Sequence, residues 1–338
     1  PTPSAVFHYF TPNSCHLLFL PDAPDPWGMR VRAFRNVAGT FELLPPQESQ
    51  RFSGVENPSL PAVRVVEDGA ARVVVEAVLG YGDSRICQRY KLPRQGSEIE
   101  LEIRVHWNEK DRMLKLALPT PDREAEYLGQ VAYGVEPLPT NGDEVVAHKW
   151  VAVVSRTRDA ALSVINDGTY GSDFRDGELR LSLLRSPAYS AHPIGDYLRM
   201  PQDRYSPRID QGERRCRFWL NGGPVDERLQ AVDREALVHN EMPMALSFFP
   251  VGGGQVPGPF ITLSDDAVQL TALKKAEDSD GLILRLFEPT GQARTTLVSL
   301  PWAGLQKEVA LRGFEVRTLR VDVEQRTWTD VNLMEEEI

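Results

Sequence analysis

The chain has 338 residues and a formal net charge of -10, so it exceeds one ordinary domain and carries its Lys and Arg among a larger number of Asp and Glu. That balance argues against the nucleic-acid backbone as a partner, which demands clustered cations, and no stretch reaches the apolar length of a membrane span. Cys15, Cys87 and Cys216 are odd in number and widely spaced, which suits neither a disulfide framework nor a zinc site, and a reducing cytoplasm is expected. The opening Pro1-Thr2-Pro3-Ser4 is neither a signal peptide nor an initiator methionine and reads as part of something longer.

Along the chain the pattern is of strands. Leu17 to Leu20 is an apolar run stopped at Pro21, and Asp22-Ala23-Pro24-Asp25-Pro26-Trp27-Gly28 is a proline-stiffened loop. Arg72 to Leu79 is β-branched, while Ser84 to Leu92 and Glu98 to Trp107 alternate apolar with charged residues as half-exposed strands do. Turn signals at Glu67-Asp68-Gly69, Gly80 to Asp83 and Arg94 to Ser97 separate them. Asn166-Asp167-Gly168-Thr169-Tyr170-Gly171 is expected to form a hairpin turn, and Asp176-Gly177 a second, tighter one. Leu179, Leu181 and Leu183 then alternate along a strand that ends in Arg185, a guanidinium that needs either a structural ion pair or a hydroxyl-rich or anionic ligand. Asp226 to His239 places Leu229, Val232, Ala236 and Leu237 at near-helical spacing, giving either a short helix or an extended connection.

A Pro- and Gly-rich loop follows, placing a domain boundary near residue 240. Short strands return at Val268 to Lys274, Leu282 to Phe287, Thr295 to Leu300 and Gly313 to Val321, and Glu335 to Glu337 is expected to be a solvated acidic tail. The reading is one domain over 1–240 and a smaller β-domain over 241–338, antiparallel throughout.

Metal chemistry needs ligands at convergent spacing, and the six histidines are scattered with no Asp two residues on. A nucleophile elbow, a phosphate loop and a dinucleotide fingerprint are also missing. The Asp22 to Trp27 loop combines two carboxylates with an indole, a composition that suits sugar hydroxyls and an apolar sugar face; a surface turn pinned by tryptophan is the structural alternative. His148, ahead of Lys149-Trp150, is either a cleft residue or a hydrogen-bonded core histidine.

Several blocks in shared order carry a resemblance: Ser84 to Tyr90, Val105 to Glu109 leading to Leu114-Lys115-Leu116, Ala147 to Trp150, Asn166 to Gly171, Leu181 to Pro187, and Leu273 to Gly291. Together they resemble the C-terminal β-region of family 38 glycoside hydrolases, the α-mannosidases. The resemblance implies a large galactose-mutarotase-like supersandwich followed by a small β-sandwich. It further implies that the Asp nucleophile, the Asp acid and the zinc of a retaining α-mannosidase lie in an N-terminal barrel absent from this chain. No cofactor is then expected here, and the partners are a mannose-containing oligosaccharide and that barrel. By position Arg185 matches an arginine that reaches toward the sugar pocket. Ser14 to Asp22 looks like the strand that supplies a tyrosine to substrate, but His16 or Leu17 stands there instead, and Glu136-Pro137 replaces the usual Arg-Pro.

The resulting substrate-binding set is Arg185, His16, Asp22, Asp25, Asn166, Asp167, Tyr170 and His148, with no catalytic residue and no metal ligand. Two other readings stay open: a stand-alone carbohydrate-binding protein without a barrel, and a sugar epimerase that pairs a histidine, His106 or His148, with a facing carboxylate.

Overall fold

The computed structural model describes residues 15–22, 31–54, 60–120, 122–188, 207–244, 253 and 258–338. The chain divides into two compact units, one from the described parts of Pro1–Gly129 and Pro137–Arg228, the other from Gln130–Glu136 and Leu229–Ile338.

The larger unit is a sandwich of antiparallel sheets of six and ten strands. The six-stranded sheet runs in the order Val145–Val146, Gly171–Arg175, Glu178–Arg185, Arg112–Pro119, His16–Pro21, Gly39–Thr40. Because side chains alternate along a strand, Leu17 and Phe19, Leu114, Leu116 and Leu118, and Leu179 and Leu181 all point to one face. There they meet Ile86, Leu101, Ile103, Val105 and Trp107, with Val151, Val153, Val164 and Phe218, from the ten-stranded sheet. The even alternation of 84–92 and 99–107 is therefore the half-exposed pattern expected: one face in the core, the other in a charged ladder.

Two local features depart from expectation and a third settles an open alternative. The Asn166 segment is not a hairpin: it carries the chain from Ala160–Asn166 in the ten-stranded sheet to Gly171–Arg175 in the six-stranded one. The turn chemistry is nonetheless there, since Asn166 Oδ1 accepts from the N–H of Gly168 and of Thr169, both at 3.0 Å. Pro46–Ser53 forms a helix that strand periodicity does not announce. Val225–Asn240 settles as a helix rather than an extended connection.

The smaller unit stacks a three-stranded sheet on a four-stranded one around Leu284, Leu286, Val298, Leu300, Val309, Leu319 and Val321. Of its acidic end, Glu336 and Glu337 are exposed as expected and Glu335 is not. Glu335 is buried, pairs with Lys274 at 2.7 Å and accepts the Glu277 N–H at 2.9 Å.

Candidate functional site

The outward face of the six-stranded sheet should be polar if it meets water and apolar if it meets a protein core. It is neither. Lys115 stands on the central Arg112–Pro119 strand between Leu114 and Leu116, fully buried. Its ammonium lies 2.5 Å from Asp173 Oδ2, itself fully buried, and also bonds Glu144. Arg35 pairs with the other oxygen of Asp173 and lies 3.3 Å from Glu178. Arg180 donates to Glu178 at 2.5 Å and to the Arg35 carbonyl at 3.2 Å, while the Ser182 hydroxyl donates to Glu144.

The sequence builds this layer by register. Asp173 faces Arg180, and Ser182 faces Lys115, across neighbouring strands, so alternation brings all four to the same side. Gly171 leaves the space in which Glu144 and Ser182 meet, for a Cβ there would sit 3.0 Å from the Glu144 carboxylate. The segment 31–38 straps the face: Phe34 packs on Leu18, Leu20, Met113 and Ala117, and Ala38 donates its N–H to the Phe19 carbonyl at 2.8 Å.

Arg185 reaches this face through a β-bulge. Ser182 pairs with Lys115 and Leu184 with Leu114, leaving Leu183 as the extra residue. Leu183 and Leu184 both enter the core, and Arg185 is turned outward beside Arg180 and Ser182. Without the extra residue, simple alternation from Ser182 would point it inward. Its guanidinium donates to Asp22 Oδ1 at 2.7 and 3.2 Å and lies 4.7 Å over the Phe34 ring. The Asp22 carboxylate is fully buried, whereas the Arg185 side chain keeps 21 % of its surface exposed. Arg185 is thus in an ion pair with Asp22 and part of its side chain reaches the surface.

The other expected site residues divide. Asp22 joins Arg185; Asp25 lies outside the described residues. His16 is exposed at the start of its strand, level with Ala117 on the same outward face. Asn166 and Asp167 hold the crossover: Asn166 donates to the His148 carbonyl at 2.9 Å, and Asp167 pairs with Arg217 at 2.7 Å. Tyr170 and His148 are exposed on the two loops so tied. Sequence reasoning missed Lys115, Asp173, Glu144 and Arg35. The available signal was a lysine inside the apolar run Leu114 to Leu118, a position where only a paired cation persists.

The epimerase reading asks for a histidine opposite a carboxylate. His106 does face Glu213 across the ten-stranded sheet, but Glu213 is held in a bidentate pair with Arg104 at 3.0 and 2.8 Å. The Arg104 guanidinium keeps that carboxyl below its ordinary range, and a carboxylate so held is a weak base. Among the described residues no three His, Cys, Asp or Glu side chains converge as metal ligands.

Comparison with known proteins bears on the whole arrangement. Residues 23–199 match the profile of the glycosyl hydrolases family 38 C-terminal domain, and 267–338 that of the family 38 C-terminal beta sandwich domain. Alpha-mannosidase G of Dictyostelium discoideum is 24 % identical over 247 residues, covering 69 % of this chain and 21 % of that protein. Alpha-mannosidase 2C1 of Mus musculus is 29 % identical over 113 residues, 31 % of this chain and 11 % of that protein. The chain thus spans about a fifth of the length of the first and about a tenth of the second. In the crystal structure of an alpha-mannosidase from Enterococcus faecalis V583 the same fold recurs, with a TM-score of 0.69 at 13 % identity over 91 % of this chain and 38 % of that one.

Proposed function

Since the chain belongs to the C-terminal region of glycosyl hydrolase family 38, we propose that it is the β-portion of a retaining α-mannosidase acting on mannose-containing oligosaccharides. In this reading it packs on, and lines the rim of, a sugar pocket whose catalytic barrel lies in the same polypeptide. The nucleophile, the acid and the zinc belong to the barrel. This chain's residues supply shape and charge.

The observation that carries the reading is the outward face of the six-stranded sheet. Among the described residues four of its cations (Arg35, Lys115, Arg180, Arg185) pair with four carboxylates (Asp22, Glu144, Asp173, Glu178) around the buried Lys115 and Asp173. A paired layer with a buried centre is stiff. It suits a platform that holds one donor, Arg185, at a fixed place beside an aromatic ring, as sugar hydroxyls require. His16, exposed on the same face, is a second group of this rim.

Hydrolysis of an aryl α-mannoside by the isolated chain with added zinc tests the division of labour. No turnover is expected, and robust turnover overturns it. Reading the gene upstream of Pro1 separates the rim reading from a stand-alone carbohydrate-binding protein: several hundred upstream residues support the first, a start codon immediately before Pro1 the second.

A further inference from the structure

The outward face of the ten-stranded sheet carries a second polar concavity, remote in sequence and in sheet from the Arg185 layer. It is a cleft of about 300 Å³ whose walls include Phe52, Arg64, Glu76, Arg89, Arg104 and His106. That volume is at the small end of ligand sites, the size of one sugar ring with a substituent.

Its three arginines are each held by carboxylates, Arg89 by Glu102 at 3.6 Å as well as by Glu76. Arg64 gives Nε at 3.0 Å and Nη2 at 2.5 Å to Glu76, and Arg89 gives Nε to the other oxygen of Glu76 at 2.8 Å. Arg104 gives Nε and Nη2 to Glu213. The carboxylates therefore orient the guanidinium forks while using only part of their donors. Arg64 Nη1 is buried and has no hydrogen-bond partner among the described residues, a costly state for a guanidinium nitrogen. The Cys87 thiol in the same wall is no competing anion: burial pushes it up to about 12, with its bond to Glu76 adding to the rise. In the cleft wall Arg64, Arg89 and Arg104 outnumber Glu76 and Glu213, while Glu102, 3.6 Å from Arg89, is itself paired with Lys91 at 3.0 Å. Phe52, 41 % exposed, adds the apolar surface on which a sugar ring packs.

We propose that this cleft binds a monosaccharide-sized ligand bearing an oxyanion, its phosphate or carboxylate taken by Arg64, Arg89 and Arg104 and its ring seated against Phe52. The face involved is not the one proposed to line the mannosidase pocket, so the two proposals stand or fall separately.

Titration calorimetry on this chain with mannose 6-phosphate, glucuronate, inorganic phosphate and mannose tests it. Saturable binding of at least one of the two acidic sugars is expected, tighter than phosphate, weakening as salt rises, with none for mannose. Which acidic sugar binds separates a phosphate from a carboxylate as the recognised group. Arg104→Ala, at a side chain 57 % exposed and so removable without loss of fold, lowers the affinity about tenfold. Arg64→Met does the same, and Phe52→Ala weakens the sugar but not phosphate. Absence of saturable binding by both acidic sugars overturns the proposal, as does phosphate binding as tightly as either, or affinity unchanged in a folded Arg104→Ala protein.

Discussion

Replacing Lys115 by Met removes the charge at the centre of the outward layer while keeping an unbranched side chain of similar bulk. Asp173, fully buried, is then left with Arg35 as its cation, and Glu144 loses its cation but keeps the Ser182 hydroxyl and some exposure through which it can rehydrate. Breaking one member out of a buried ionic group costs about 3–5 kcal/mol, because the uncompensated charge stays behind. For a unit of this size each kcal/mol moves the midpoint by about 2–4 °C, so Lys115→Met melts about 6–20 °C lower. Urea unfolding followed by tryptophan fluorescence is suited to this, since Trp107, Trp150 and Trp219 all lie in the larger unit. Adding Asp173→Asn to the same protein should cost less than the sum of the two single changes, for the pair is then removed together. A loss below about 1 kcal/mol for Lys115→Met, or strict additivity in the double variant, would refute a coupled buried network.

Arg185→Met removes a charged partner of the buried Asp22 carboxylate and should cost about 2–4 kcal/mol in the same urea assay; a neutral result would mean that the pair is not made in solution. Gly177 has φ +79° in the tight turn after Asp176, and a Cβ there meets the Thr120 carbonyl at 3.2 Å, so Gly177→Ala should destabilise by about 1 kcal/mol, with an unchanged melting curve as the contrary outcome. Glu288, buried in the smaller unit, is pushed up by burial but pulled further down by hydrogen bonds from Thr290 and Phe314 and by Arg294, and ends below its ordinary 4.5. A depressed carboxyl stabilises above the unfolded value and loses that contribution as pH falls through the folded one, so the smaller unit weakens below about pH 4.5. Glu288→Gln should be less stable at neutral pH and flatter in acid; parallel acid curves for the two proteins would count against this assignment.

What could be seen in the sequence was what repeats locally. Strands at 84–92 and 99–107 were legible because one face must be apolar and the other charged, and the Asp176-Gly177 hairpin because both residues take positive φ. The Asn166 turn was legible as chemistry but not as topology: an Asn side chain capping two N–H groups does not say which sheet the next strand joins. The helix Pro46–Ser53 escaped notice because its residues are almost wholly polar and exposed. At the site, Arg185 and Asp22 were both visible as unusual residues, yet their pairing spans 163 positions, and the bulge at Leu183 that turns Arg185 outward has no Gly to mark it. Lys115 shows the limit most plainly, since one charge inside Leu114 to Leu118 gains meaning only when three other segments, around Arg35, Glu144 and Asp173, close over it.

Parallel assays of aryl α-mannoside hydrolysis, on this chain alone and on the polypeptide translated from its entire reading frame, test the central proposal most directly. Zinc-dependent turnover is expected from the entire polypeptide only, with Arg185→Met lowering kcat/KM about tenfold, the worth of one charged hydrogen bond in the transition state. Turnover by this chain alone, or an entire polypeptide whose kcat/KM is indifferent to Arg185→Met, would contradict it.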